Sequence, residues 1–391
     1  MGVKTVGVVK QMQPFLSQPT LTTIKIVKKI RTPLGRLALL LAAGLALLGG
    51  LYAATVLLGY NGHRPLSSLA SSHGPLMVFG FVGGAIALER AVAIRRWWGW
   101  GAPIASAIAV AAVFLHAPVW VPGAAWAVSF AVLTGVYAEA YRRQGSLALI
   151  IQAAGSVAAV FAALRWAEAG VFTDALGLAM MFTVATIIGE RVELARLSFS
   201  RGHREETITV LILALLAAAV VAPVGALATS IERVFGLLLV AVAVASLRAD
   251  VARNLVRTSK LPRFSAACML LGYGWLVVAG LAIAFFGLRT TGFAYDACVH
   301  GVFLGFVISM IFAHAPIILG AVIRKNLPYH PILYAPVVLL HGGLLIRLGA
   351  GDLLRHDGIW RAGAIVTIVA VLGFIATGIF SGISNRGKGK R

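Results

Sequence analysis

Apolar runs of about 20 residues recur along most of this chain, and a run of that length crosses the hydrocarbon core of a bilayer as an α-helix. Twelve such segments are predicted, at 37–58, 73–94, 102–120, 124–141, 146–165, 173–198, 207–228, 233–256, 264–287, 297–323, 331–350 and 360–380. Short connections, often carrying Gly or Pro, separate them. A helix satisfies its own backbone hydrogen bonds in lipid, so the expected fold class is an all-α integral membrane protein. Composition agrees, because 60% of the 391 residues are hydrophobic and only 12% are charged. A soluble domain has too little interior to hide that much apolar surface. The expected organisation is a basic tail over residues 1–36, a transmembrane domain over 37–380 and a second basic tail over 381–391.

The net charge of +21 invites a nucleic-acid reading, but its distribution argues for orientation in a membrane. With those inside a span counted at its nearer end, 27 of the 34 Lys and Arg belong to the two tails and the even-numbered connections, and 7 to the odd-numbered ones. By the positive-inside rule both termini are expected in the cytoplasm, in a multi-pass protein of the cytoplasmic membrane, with no nucleic-acid partner. Seven of the eight tryptophans, Trp126 and Trp166 among them, lie near predicted span ends, as an interfacial belt requires. The N-terminus lacks the short apolar core and cleavage site of a secretory signal. Its stretch TLTTIKIVKKIR (residues 20–31) suits either a basic strip on anionic headgroups or a disordered tail. Cys268 and Cys298 lie in different spans without a CxxC spacing, so two small buried hydrophobes are expected rather than a disulfide.

An internal repeat accompanies the spans. The second ends AIALERAVAIR and the sixth TIIGERVELAR; an offset of 101 residues lays Glu89-Arg90 on Glu190-Arg191 and Phe81 on Phe182. Aligning Gly305-Phe306-Val307 of the tenth span with Gly80-Phe81-Val82 sets His314 opposite Glu89. Spans two, six and ten are four apart, which predicts three four-helix units rather than two six-helix halves.

His73 opens the second span within SSHGPLMVFGF and His300 opens the tenth, so both are expected near one membrane face. Two neutral imidazoles facing one another are what an axially ligated haem iron needs. Gly80 and Gly84 fall within about 20° of His73 on an ideal helix, a small face that admits either a flat macrocycle or a neighbouring helix. His314 lies roughly 21 Å beyond His300 along the tenth span. With His341, Glu190 and Glu89 it offers nitrogen and oxygen donors for a second, cytoplasm-facing metal or proton site. The plain alternative is that the glutamates neutralise Arg90 and Arg191. His63, His116, His203, His330 and His356 belong to loops or span ends and read as solvated residues. No Gly-rich phosphate loop, GxSxG elbow or HExxH motif is present, so nucleotide and hydrolase chemistry lack a visible basis.

Twelve spans, a four-helix period and histidines opening spans two and ten together resemble the haem–copper oxidase subunit I superfamily. The HGPLMVFGF opening is similar to the NnrS family within or beside it, described as haem- and copper-containing membrane proteins linked to nitric oxide metabolism. The resemblance covers residues 37–380 mainly by topology. It implies that His73 and His300 ligate haem b, that copper or another transition metal is a second cofactor, and that a redox partner protein docks. The oxidases also carry a copper-binding His and a cross-linked Tyr on span six and a His pair on span seven. Here span six offers Glu190 and TITVLILALLAAAVV holds no histidine, so oxygen reduction to water is not expected. A haem protein of nitric oxide or respiratory redox metabolism is therefore the leading expectation. A haem-free metal- or proton-coupled transporter is the alternative, and a cofactor-free partner of a respiratory complex a third.

Overall fold

The computed structural model describes residues 33–60, 68–222, 228–323 and 329–384. Most of both basic tails, including the 20–31 strip, and His63 lie outside them. Every regular element among the described residues is helical. In chain order we name α1 (Pro33–Leu57), α2 (Leu69–Ile94), α3 (Gly101–Phe114), α4 (Trp120–Arg143), α5 (Leu147–Ala169) and α6 (Phe172–Leu194). Then follow α7 (Arg204–Val221), α8 (Ala228–Ala249), α9 (Lys260–Phe286), α10 (Gly292–Ile317), α11 (Pro331–Asp352) and α12 (Asp357–Ser384). Each falls on one predicted segment. Ten are long and apolar enough to cross a membrane; α3 is shorter, and α7 opens on Arg204, Glu205 and Glu206. The chain is an all-α membrane protein by these helices.

Burial sorts the helices into an interior and a rim. In α6, 78% of the apolar stretch is buried, against 28% in α12. Leucines 41, 45 and 48 of α1 point outward from the bundle. An exposed leucine row of this kind is stable only against lipid. Consecutive helices pack against one another, and α6 also touches α2 and α10.

Small residues set the close approaches, as expected where lipid removes the hydrophobic drive between helices. A Cβ at Gly236 of α8 would stand 2.4 Å from the backbone nitrogen of Ala284 and 2.6 Å from the carbonyl of Gly280, both on α9. Neither backbone can yield there. Gly236→Leu is therefore expected to separate α8 from α9 and destabilise the bundle by about 1–3 kcal/mol, the usual cost of overpacking. A lowered apparent Tm in detergent would show it. Polar side chains help where they can reach a neighbour's carbonyl. Ser129 Oγ donates to Ala102 O, and Ser265 Oγ donates to Ala313 O.

Aromatic rings fill the space between α2, α4, α5 and α6. Phe79 lies 5.7 Å from Trp126 and 5.6 Å from Phe130, and Trp126 lies 5.5 Å from Trp166, all in tilted or edge geometries. This corrects the interfacial-belt expectation. Trp100, Trp126 and Trp166 are buried among helices, while Trp97 and Trp120 are exposed. Position near a span end does not say which way a ring faces. Inter-helix packing claims the inward ones.

Candidate functional site

Three helices widen where they approach one another. Residues Leu76–Gly83 of α2, Gly301–Ile308 of α10 and Leu345–Asp352 of α11 adopt the i→i+5 hydrogen-bond pattern of a π-helix. Such segments are uncommon and concentrate at functional sites. Two of the three begin within a turn of His73 or His300, and each contributes residues to the same cavity.

That cavity has a volume of about 500 Å³ and a mostly apolar wall drawn from α1, α2, α10, α11 and α12, with the start of α6. Its size is within the range of cofactor sites. Both His73 and His300 line it, as do Asp296, Arg347, Asp352 and Trp360. Two imidazoles that are 227 residues apart in the chain thus share one pocket.

Each imidazole has Nδ1 against an oxygen, by a hydrogen bond at His73 and by a charge contact at His300. His73 Nδ1 is 2.8 Å from the carbonyl of Gly50 on α1. An acceptor there assigns the proton to Nδ1, which leaves the Nε2 lone pair free. Gly50 permits the approach, because a Cβ on it would meet Met77 Sδ at 2.6 Å. His300 Nδ1 lies 2.5 Å from Asp296 Oδ1, one helical turn earlier on α10, a close charge contact without hydrogen-bond geometry. No described residue hydrogen-bonds the Nε2 of either ring. A ring nitrogen anchored to a carbonyl or carboxylate, with the other left open, is the arrangement found in metal-ligating histidines.

Asp296 is itself fixed from three sides. Arg347 of α11 grips it with Nε and Nη2, both at 2.7 Å, and Trp360 Nε1 of α12 donates at 2.8 Å. The Arg347 guanidinium also sits 4.7 Å from the Trp360 ring centroid. The pair is buried, so its stability depends on this full set of partners. Sequence reasoning missed Asp296, Arg347 and Trp360. The available signals were an Asp four residues before His300 and a lone Arg inside an apolar span.

Gly80 and Gly84 do not line the cavity. A Cβ on Gly80 would meet Ala46 of α1 at 2.7 Å and Val110 of α3 at 3.2 Å, and one on Gly84 would meet Ser106 Oγ at 3.0 Å. Their small face admits neighbouring helices, not a macrocycle. The 100° arithmetic fails because the π segment between His73 and Gly84 rotates everything after it.

The four residues expected at a second metal site occupy three separate places. Glu89 and Glu190 lie beside Arg90, at 3.8 and 3.2 Å from its Nη2. His314 sends Nδ1 to Met310 O at 2.7 Å, and its Nε2 lies 3.2 Å from Arg191 Nη1. His341 accepts from Trp275 Nε1 at 2.8 Å, and its Nε2 lies 3.4 Å from Ser309 Oγ. Both nitrogens of each ring are therefore engaged, and neither offers a lone pair to a metal. Among the described residues no group of three or more His, Cys, Asp or Glu side chains is arranged to hold a metal ion. Arg191, expected opposite a glutamate, instead pairs with Asp250 through Nε at 2.9 Å and Nη2 at 2.8 Å.

The positions that the repeat equates do meet. Arg90 joins α2 to Glu190 on α6, and Arg191 joins α6 to His314 on α10. Fold and cavity together define a helical membrane protein with a histidine-flanked internal pocket. The chain belongs to the family described as Domain of unknown function (DUF8744), whose profile matches residues 36–383. No curated protein matches it.

Proposed function

We propose that this protein is an integral membrane haem protein in which His73 and His300 provide the two axial ligands to a haem b. The single observation carrying this reading is that both imidazoles line one cavity, His73 with Nδ1 hydrogen-bonded to Gly50 and His300 with Nδ1 against the Asp296 carboxylate. The pocket fits the group in two respects, its volume and its apolar wall; Arg347 also lines it, with its guanidinium already committed to Asp296. Haem would supply one-electron chemistry at its iron. The chain's own residues orient the two rings, wall the site mostly with apolar side chains and pair its buried charges. Two strong nitrogen ligands favour electron transfer over binding a gas at a vacant iron position. A role in respiratory or nitric oxide redox metabolism, with a redox partner protein, follows the resemblance to the NnrS family.

In this reading all twelve helices span the cytoplasmic membrane, both termini are cytoplasmic, and the cavity lies towards the outer face. A haem-free transporter working through His314 and His341 has less support, because those rings are committed to hydrogen bonds inside the bundle. The test is an absorbance spectrum of protein purified from cells supplied with haem precursor. A Soret band at one haem per chain is expected; a colourless preparation with normal helicity would overturn the reading.

A further inference from the structure

At the ends of α2 and α6 remote from the cavity, three carboxylates surround one guanidinium. Arg90 reaches Glu190 at 3.2 Å and Glu193 at 3.3 Å, with Glu89 at 3.8 Å. The Arg90 and Glu190 side chains are only 13% and 18% exposed. One positive charge thus faces three acids, an excess of two negative charges in a partly desolvated setting. Like charges sharing a site cannot all remain ionised at ordinary cost.

Besides Arg90 Nε itself, two buried polar atoms beside this cluster, the Tyr137 hydroxyl and Gln152 Oε1, have no partner. Tyr137 of α4 is 1% exposed, its ring is 5.8 Å from the Arg90 guanidinium, and its hydroxyl makes no hydrogen bond. The phenol's electrostatic neighbours are Arg90, Glu190, Glu89 and Glu193. Gln152 of α5 is fully buried and donates Nε2 to Glu193 Oε2 at 3.0 Å, while its Oε1 is left without a donor. A lone amide oxygen beside a carboxyl is a waiting acceptor for a carboxylic O–H. Unpaired buried polar atoms are costly enough to need an occupant. His314 and Arg191, from the adjacent faces of α10 and α6, do not supply one, since Arg191 is turned to Asp250.

We propose that Glu89, Glu190 and Glu193 hold one proton in common, forming an exchangeable proton site separate from the cavity. The step is a simple transfer: a carboxylate oxygen gains an O–H bond to a proton from hydronium, and water remains. Tyr137 and Gln152 Oε1 solvate the protonated form, and Arg90 holds the remaining charge. The partial exposure of Glu89 and Glu193 gives the proton a route to solvent.

Infrared spectroscopy of the full-length protein in lipid nanodiscs tests this. At pH 7 a protonated-carboxyl C=O band is expected, shifted in deuterium oxide and lost in Glu190→Gln. Glu89→Gln and Glu193→Gln should each weaken it. Arg90→Gln should increase it, since removing the cation calls for another proton. An unchanged band in all three glutamine variants, eluting and folding as wild type, overturns the proposal. So does a band that appears only in sodium-free buffer, which would make a metal cation the occupant.

Discussion

His300→Ala and His73→Ala are each expected to lose the bis-imidazole haem spectrum, the largest change in this protein that a single substitution should bring. In the proposed haem protein each ring would supply one of two iron bonds, and no third described imidazole lines the cavity. Free imidazole should restore the spectrum in either variant, because the space left by the side chain matches the rescuing molecule. His314→Ala and His341→Ala should leave haem content unchanged, since those rings bond inside the bundle. Asp296→Asn should weaken haem retention by about 10–100-fold, the usual effect of removing a carboxylate behind a metal-bound histidine. The result that would sink the assignment is a Soret band untouched in both His73→Ala and His300→Ala.

The second large effect concerns stability. Asp250 sits just past α8 and accepts from Arg191 twice, from Tyr273 at 2.8 Å and from the backbone nitrogen of Ala252 at 2.9 Å. Asp250→Ala would leave the Arg191 charge buried without a counterion, which costs about 3–5 kcal/mol. Arg191→Met combined with Asp250→Ala should recover part of that loss, because two removed charges no longer need each other. Thermal unfolding in detergent, read by helicity, measures both. The pH dependence has a definite sign. Burial works against the Asp250 charge, but the Arg191 guanidinium and the Tyr273 and Ala252 hydrogen bonds hold its carboxyl below the usual range. Its contribution is therefore complete above the unfolded-chain value of about 3.9 and is lost as pH falls through the lower folded value. Wild type and Asp250→Asn should differ most near neutrality and converge in strong acid.

Much of the architecture was legible because lipid enforces a simple rule. A segment of about 20 apolar residues must be a helix in lipid, so every predicted segment overlaps a helix among the described residues, ten of them long and apolar enough to cross a membrane. That His73 and His300 would come to one region was legible for a related reason, in that both open predicted spans of the same direction, and both line one cavity. Facing direction was not. Trp126 and Trp166, near span ends, turned inward into the aromatic core around Phe79, while Trp97 and Trp120 stayed exposed. The small face of Gly80 and Gly84 was real, but the π segment of α2 rotated it onto α1 and α3.

The site's supporting residues illustrate the same divide. His73 and His300 carry distinctive chemistry in a poor chemical background, so they are visible in a string of letters. Gly50, Asp296, Arg347 and Trp360 acquire their roles only through contacts between α1, α2, α10, α11 and α12. The Glu89–Glu190 grouping was half visible through the repeat, Glu193 lies one turn beyond Glu190 in the same segment, and Tyr137 and Gln152 joined it from other helices.

Sequence by itself determined that this chain is a bundle of membrane helices and where its few ionisable groups sit along them. Tertiary structure alone decided which acid each arginine pairs with, which nitrogen of each histidine is spent, and which faces surround the cavity. The physical reason is that hydropathy acts locally and adds along a segment. A partner for a buried charge is chosen by whichever group, however distant in the chain, arrives within about 3 Å with the right geometry.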